Sequence, residues 1–217
     1  MKKKLLFEVN ELECTRDFSI LFNPISFKLF SGNLFVIKGS NGSGKTSFLH
    51  CLAGLVLFKG AIAWHIENSA IGYVGHKIAV KDHDTVKDFL SFWTAIYNSK
   101  KNFKEIVNLF SLSKILYTPI SFLSFGQKKK LAFVRLYLLD TKIWLLDEPF
   151  SGMDYNNKKL VSKLIKNHNN NNGAVINSTI SLYSHSTVFR RADQKISIDS
   201  LDIGKKVEYT SISKLNL

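Results

Sequence analysis

Three features of the sequence predict an α/β domain with a mostly parallel sheet. Short apolar runs of strand character alternate with segments of helical periodicity over most of the 217 residues, the pattern of strands joined by crossover helices. One such run, "LFVIKG", passes straight into the glycine-rich "SNGSGKTSFLHCLAGL". Another, "KIWLLD", ends in an acid that a second acid follows, at the strand end where open parallel sheets hold their ligands.

The elements follow in order. "MKKKLLFEV" opens like a secretory signal, but its apolar run is far too short and Glu8 interrupts it. "LLFEVNEL" and "ISFKLF" read as strands, with β-favouring residues in alternation. After "LFVIKG", Phe48, Leu49, Leu52 and Leu55 recur at helical spacing. "AIAWHI" and "AIGYVG" are further short strands. The character then changes. "DTVKDFLSFWTAIYNS" starts with Asp84 or Thr85 as its N-cap and carries an apolar helical face, and "FKEIVNLFSL" is another helix. With "KKKLAFVRLYLL" they form an inserted helical subdomain at about residues 82–139 of one domain spanning 1–217. "KIWLLD" is a buried strand, "NNKKLVSKLIKNH" a helix ended by an Asn/Gly turn, and "AVINST" a strand. The tail "KISIDSLDIGKKVEY" has hairpin character, with its turn at residues 202–206.

Hydrophobic residues make up 45% and charged residues 22%, the balance of a globular chain. The formal net charge of +13 points to anionic company, whether nucleotide, nucleic acid, anionic lipid or an acidic partner, or simply to a solubilising surface. Lysines are spread along the chain and no arginine-rich stripe is present, so nucleic acid is not expected as a partner. Cys14 and Cys51 form no motif and are expected as reduced core thiols rather than a disulfide or redox pair. No apolar segment reaches the length needed to span a bilayer, so the expected protein is soluble or peripheral on a membrane.

"GSNGSGKT" (residues 39–46) fits G-x-x-x-x-G-K-[ST] and sits between a strand and a helix, the context that distinguishes a phosphate loop from an incidental glycine-rich turn. Gly39, Ser40, Asn41, Gly42, Ser43, Gly44 and Ser47 are the expected cradle, in which glycines let backbone N–H groups wrap phosphates. Lys45 supplies charge at the β- and γ-phosphates, and the Thr46 hydroxyl binds Mg²⁺. In "IWLLDEPF", Asp147 would hold the Mg²⁺ shell and Glu148 would orient or polarise the attacking water. The rival reading of this acidic pair is a solvated turn. "LSFGQKKKL" (residues 123–131) is a second helix start that favours an anion: Ser124 caps it, Gly126 admits a close approach to the backbone, and three lysines follow.

Together these stretches resemble the ATP-binding-cassette ATPases over almost the whole chain. "LSFGQ" is similar to that family's signature sequence, with Phe125 at its tolerant middle position and Ser124, Gly126 and Gln127 retained; "FSGMD" (residues 150–154) is similar to its D-loop. The resemblance implies a P-loop NTPase fold of the ABC type, α/β with a mostly parallel sheet, an antiparallel β part and an inserted helical subdomain, and an ATP-binding homodimer whose cassettes pair head to tail. Each nucleotide then lies between one copy's phosphate loop and the other's signature helix, so that Ser124 and Gly126 touch the γ-phosphate held by the partner and Gln127 lines the same nucleotide. It also implies an aromatic that stacks on adenine. Phe18 in "CTRDFSILF" is the candidate, with a plain strand-end aromatic as the alternative.

Within the family the chain is similar to the ATP-binding subunits of haem exporters of cytochrome c maturation. "CTRDFSILFNPISF", Gly75-His76, "TVKDFLSFWTAIY" and "LSFGQKKKLAFVRL" carry this likeness. It implies an ATPase that works with integral membrane subunits, peripheral on an inner membrane, at the cytoplasmic face of a bacterium or the matrix face of a mitochondrion. The helical lobe at about residues 82–123 would dock on those subunits, with Phe89, Phe92, Trp93 and Tyr97 as candidate anchors where exposed; core packing is the alternative for most of them. Two positions depart from the family's pattern. Lys77 stands where a Gln usually senses metal, water and transport partner. Ile180 stands where a His usually contacts the γ-phosphate, with His185 several residues too late. His76 and His185 are expected as surface or packing residues. The departures leave open an ATP-dependent dimerisation switch with weak hydrolysis, which the intact Glu148 opposes; another exported substrate is a further alternative. A cassette acting on ribosomes or DNA would carry two cassettes or a long inserted arm, and neither is present.

Overall fold

The computed structural model describes residues 3–16, 19–66, 71–75, 78, 80–179, 193–198 and 210–211. β1 (Leu5–Glu13) is the middle of a small antiparallel sheet. A two-stranded excursion, β2 (Thr15–Arg16) and β3 (Ser19–Ile20), follows it. β4 (Ile25–Phe30) and β6 (Lys59–Trp64) flank β1. The main sheet is built from β5 (Leu34–Lys38), β7 (Ile71–Val74), β8 (Ile143–Asp147), β9 (Ala174–Thr179), β10 (Gln194–Ser197) and β11 (Thr210–Ser211), in the order β11-β10-β5-β9-β8-β7. Every pair from β10 to β7 is parallel, and β11 is an antiparallel edge. The tail therefore departs from a plain hairpin. β10 pairs antiparallel with β11 but also joins β5 in parallel, because its other edge completes the main sheet; the expected turn at residues 202–206 lies outside the described residues.

β8 and β9 are buried at every position, as parallel strands covered on both faces must be. Their period of two divides them between two cores. Leu34, Val36, Val74, Trp144, Leu146 and Val175 face the helical side. Phe35, Ile37, Ile143, Leu145, Ala174 and Ile176 face α1 (Lys45–Leu52) and the antiparallel sheet. There Phe27 meets Phe35 at 4.6 Å between ring centroids, an aromatic contact that joins the two sheets, and Phe7 meets Trp64 at 4.9 Å within the antiparallel sheet. Cys14 and Cys51 are buried free thiols in this core. Burial, then a hydrogen bond with Cys14, pushes the Cys51 thiol up to about 12, which suppresses thiolate chemistry. Leu55 does not belong here. α1 stops at Leu52, the chain turns through Gly54 at φ 69°, and Leu55 is 61% exposed.

α2 (Val86–Ile96) starts at Thr85, whose side chain and that of Asp88 cap each other's backbone, which decides between Asp84 and Thr85. α3 (Phe103–Leu109) is capped by Asn102. α4 (Phe125–Leu139) and α5 (Tyr155–Asn170) return the chain to the sheet. Val86, Phe89 and Leu90 share a core with Leu34 and Val36, so the lobe is packed continuously onto the sheet. Phe89 is thus a core residue and not a docking anchor, because it falls on the α2 face that carries Val86 and Leu90. Trp93 and Tyr97 are partly buried against the same core, and Phe92 is exposed.

α5 ends in the expected Asn/Gly turn, where the His168 ring stacks on Trp144 at 3.9 Å and its Nε2–H donates to the Lys142 carbonyl. Burial lowers the His168 pKa from 6.5 to about 4. Acid therefore protonates the unfolded chain first, and stability falls as pH drops from 6.5 towards 4. In urea unfolding between neutral pH and about pH 4.5, the parent is expected to lose about 2 kcal/mol more than His168→Gln. Equal losses would show that His168 does not carry this slope.

Candidate functional site

The carboxyl ends of β5 and β8 place the glycine-rich loop and the acidic pair together. Gly39 is packed so tightly that a Cβ there would lie 2.1 Å from the Ile198 carbonyl oxygen and 2.2 Å from Ser43 Oγ. Gly44 starts α1 in the left-handed region at φ 94°, which L side chains enter only at a cost. Ser40, Asn41 and Gly42 form the exposed tip, Ser43 is buried, Ser47 is half-buried in the first helical turn, and Thr46 is exposed beside it. Ser43 Oγ is a buried polar atom without a hydrogen-bond partner. Lys45 is buried, and its Nζ donates to the carbonyls of Gly39 at 2.9 Å and Ser40 at 2.7 Å. Its ammonium is thereby held inside the loop.

Asp147 is only 3% exposed. One carboxylate oxygen accepts from Thr46 Oγ1 at 2.8 Å and the other from Ser178 Oγ at 2.5 Å. Ser178 stands directly across the β8–β9 ladder from Asp147. Its hydroxyl oxygen also accepts the Glu148 N–H at 3.1 Å. Glu148 is half-buried in a left-handed conformation, φ 46°, and its carbonyl accepts from the Ser151 N–H at 3.1 Å and from Lys129 Nζ at 2.5 Å. Lys129 is fully buried on α4. Burial lowers its pKa to about 8, against the pull of the Glu148 and Asp147 carboxylates.

The second helix start is a different place in the fold. Ser124 Oγ accepts the Gln127 N–H at 3.2 Å, and Gln127 Oε1 accepts the Ser124 N–H at 2.8 Å, a reciprocal cap for α4. The absence of a side chain at Gly126 serves a neighbour within the chain, since a Cβ there would lie 2.9 Å from the Gly152 carbonyl oxygen. Phe125 lies over Gly152 and is 44% exposed. Asp154 caps α5 by accepting the Asn157 N–H at 2.8 Å. The structure therefore unites Lys45, Thr46, Asp147 and Glu148; it sets Gly126 against the turn that follows Glu148 and leaves Ser124 and Gln127 as the mutual cap of α4. Phe18, His76, Lys77, Ile180 and His185 lie outside the described residues.

Sequence reasoning missed Ser178 and Lys129. The signal for Ser178 was a hydroxyl closing the buried strand "AVINST" beside another strand that ends in an acid. For Lys129 it was a lysine four residues before Phe133 on the apolar face of α4. Ser178→Ala would leave Asp147 short of a donor and the Glu148 N–H without an acceptor. The expected cost is about 2 kcal/mol, read as a fall of about 4–8 °C in Tm. An unchanged Tm would show that neither bond contributes to stability.

A family model described as ABC transporter matches residues 22–151. The cytochrome c biogenesis ATP-binding export protein CcmA of Hyphomonas neptunium is 33% identical over 174 residues, 80% of this chain and 89% of its own. That of Wolbachia pipientis wMel is 34% identical over 181 residues, 79% of this chain and 87% of its own. A solved ATP binding subunit of an ABC transporter matches with a TM-score of 0.79 over 95% of this chain and 90% of its own, at 19% identity. An ABC transporter ATP-binding protein from Pyrococcus furiosus gives 0.73 over 88% and 96%, at 24% identity. The structural likenesses show the fold. With the matched family model and relatives of this coverage, the chain belongs to the ABC transporter family as an ATPase subunit similar to the CcmA proteins.

Proposed function

We propose that this protein is the ATP-hydrolysing subunit of a haem exporter in c-type cytochrome biogenesis. In this reading it works as a head-to-tail homodimer on integral membrane subunits. Its place is an inner membrane, at the cytoplasmic face of a bacterium or the matrix face of a mitochondrion. The similarity to the CcmA proteins supports the transport role. The observation that carries the chemistry is the convergence of Lys45, Thr46, Asp147 and Glu148 at the carboxyl ends of β5 and β8, on either side of β9.

The donor set fits a nucleoside triphosphate with Mg²⁺. The loop offers backbone N–H groups, the buried Ser43 hydroxyl and the Lys45 ammonium. Thr46 Oγ1 and the Asp147 carboxylate would hold the metal, which supplies charge neutralisation on the phosphates. Lys45 Nζ would exchange loop carbonyls for β- and γ-phosphate oxygens. The Glu148 carboxylate would orient a water in line with the γ-phosphorus and accept its proton as the bond to ADP breaks. Ser124 and Gly126 of the second copy would complete the γ-phosphate site, in keeping with twofold symmetry. Phe18 remains the candidate for stacking on the adenine.

Docking on the membrane subunits is assigned to the helical lobe. Its exposed large apolar residues include Phe92, Ile96, Tyr117 and Phe122, so of the sequence candidates Phe92, at 47% exposure, is the one left on the surface as an anchor. Among the described residues no helix is long and apolar enough to cross a membrane, and the proposal leaves the crossing to the partner subunits. Lys77 and Ile180 in place of the family's Gln and His favour a second reading, an ATP-driven dimerisation switch with slow turnover.

Lys45→Ala is expected to abolish tight ATP binding. Glu148→Gln is expected to bind ATP, trap a dimer and lose about 100-fold or more in single-turnover hydrolysis, at about 1.4 kcal/mol of barrier per tenfold. Parental hydrolysis in Glu148→Gln would remove the base assignment, and a parent that dimerises on ATP with negligible turnover would favour the switch. Solubilised membranes should yield the chain together with an integral subunit. Recovery only in the soluble fraction, with those subunits present, would count against the transport role.

A further inference from the structure

Among the described residues Lys129 is the one charged side chain with no exposed surface, and it takes no part in the chemistry above. It stands on α4 one turn beyond the Ser124–Gln127 cap. It is fully buried, and its Nζ donates to the carbonyl of Glu148, 19 residues away in sequence. A buried ammonium is costly unless strong acceptors and nearby negative charge compensate it. The Asp147 and Glu148 carboxylates supply that charge. The acceptor is the backbone of the one residue at the strand end that is held in a left-handed conformation, and such a conformation persists only where its surroundings over-determine it. Three contacts do so here: Ser178 takes the Glu148 N–H, while Ser151 and Lys129 share its carbonyl. Of the three, only Lys129 belongs to α4.

The same helix start is fastened to the following turn. Gly126 abuts the Gly152 carbonyl, and the Phe125 ring covers Gly152. α4 and residues 148–152 are thus packed as one body, with a signature end that is exposed at Ser124 and a buried end that grips the peptide carrying the candidate base.

We infer that Lys129 is a positioning residue for hydrolysis, which sets the aim of the Glu148 carboxylate through its backbone and links it mechanically to the anion-favouring start of α4. This rests on the reading of Glu148 as the residue that orients water. When a phosphate group engages Ser124 and Gly126, any movement of α4 is passed through Lys129 to the Glu148 peptide. Occupancy at the signature end of a chain is thereby reported to the hydrolytic residue of that same chain.

The test compares Lys129→Met, Lys129→Arg and Glu148→Gln, singly and in combination, in the full-length chain. ATP affinity, single-turnover rate and Tm are measured for each. Lys129→Met is expected to lose about tenfold or more in kcat with ATP affinity within about twofold, and Lys129→Arg to recover most of the loss. In the Glu148→Gln background, Lys129→Met should change the residual rate less than about twofold, since the residue it positions is already disabled. Parental kcat in Lys129→Met would overturn the inference, as would equal fold losses in both backgrounds. So would joint loss of rate, affinity and Tm, which marks a merely structural role. If Lys129→Met does not fold, Lys129→Gln is read by the same split. Parental turnover in Glu148→Gln alone would instead overturn the base assignment, and is seen without any change at residue 129.

Discussion

The hydrogen-bonded carboxylate of Asp147 is the junction on which the site depends. It ends β8, takes one bond from Thr46 on α1 and another from Ser178 on β9. A carboxylate this deeply buried is tolerated only when its oxygens are satisfied. That requirement fixes where α1 begins, because Thr46 must reach the strand end. It then constrains the loop, which has to leave β5 and enter α1 within a few residues. Gly39 makes the close approach possible and Gly44 supplies the left-handed step into the helix.

The sheet gives this junction a stiff base. β5, β8 and β9 are neighbours in the sheet, and each sends alternate residues into opposite cores. Apolar burial on both faces holds the strand ends in register. Asp147 and Ser178 meet because the β8–β9 ladder puts them side by side. The candidate reactive groups therefore sit at the rim of a packed scaffold, with Thr46 and the loop tip formed by Ser40, Asn41 and Gly42 exposed.

Part of the chain's positive charge is internal. Lys45, Lys129 and Lys130 are all nearly or fully buried. The first grips carbonyls of the glycine-rich loop and the second the carbonyl of Glu148. Lys130 is depressed by burial, with Asp154 opposing the shift. Burying cations in this way does little for stability. It does orient backbone at the edge where a polyanionic substrate would sit, which connects the composition to the family's chemistry more closely than a basic surface does.

Local patterns were legible without the fold. The glycine spacing before Lys45, the apolar run ending in Asp147 and the cap at Ser124 are each written within a few adjacent residues, and each appears where its spacing implies. Periodicity likewise marked the helical lobe. It could not say that Phe89 packs against the sheet core, that Leu55 falls beyond the end of α1, or that β10 lies beside β5. Ser178 and Lys129 acquire their roles from partners 31 and 19 residues away. Short-range sequence determines which turns and helices are favourable, because capping and φ/ψ preferences act between near neighbours. Which strands lie side by side, and hence which buried polar atom satisfies which, is decided only when the two cores close on the sheet. At that point a buried donor or acceptor can bond only with groups that packing has brought beside it.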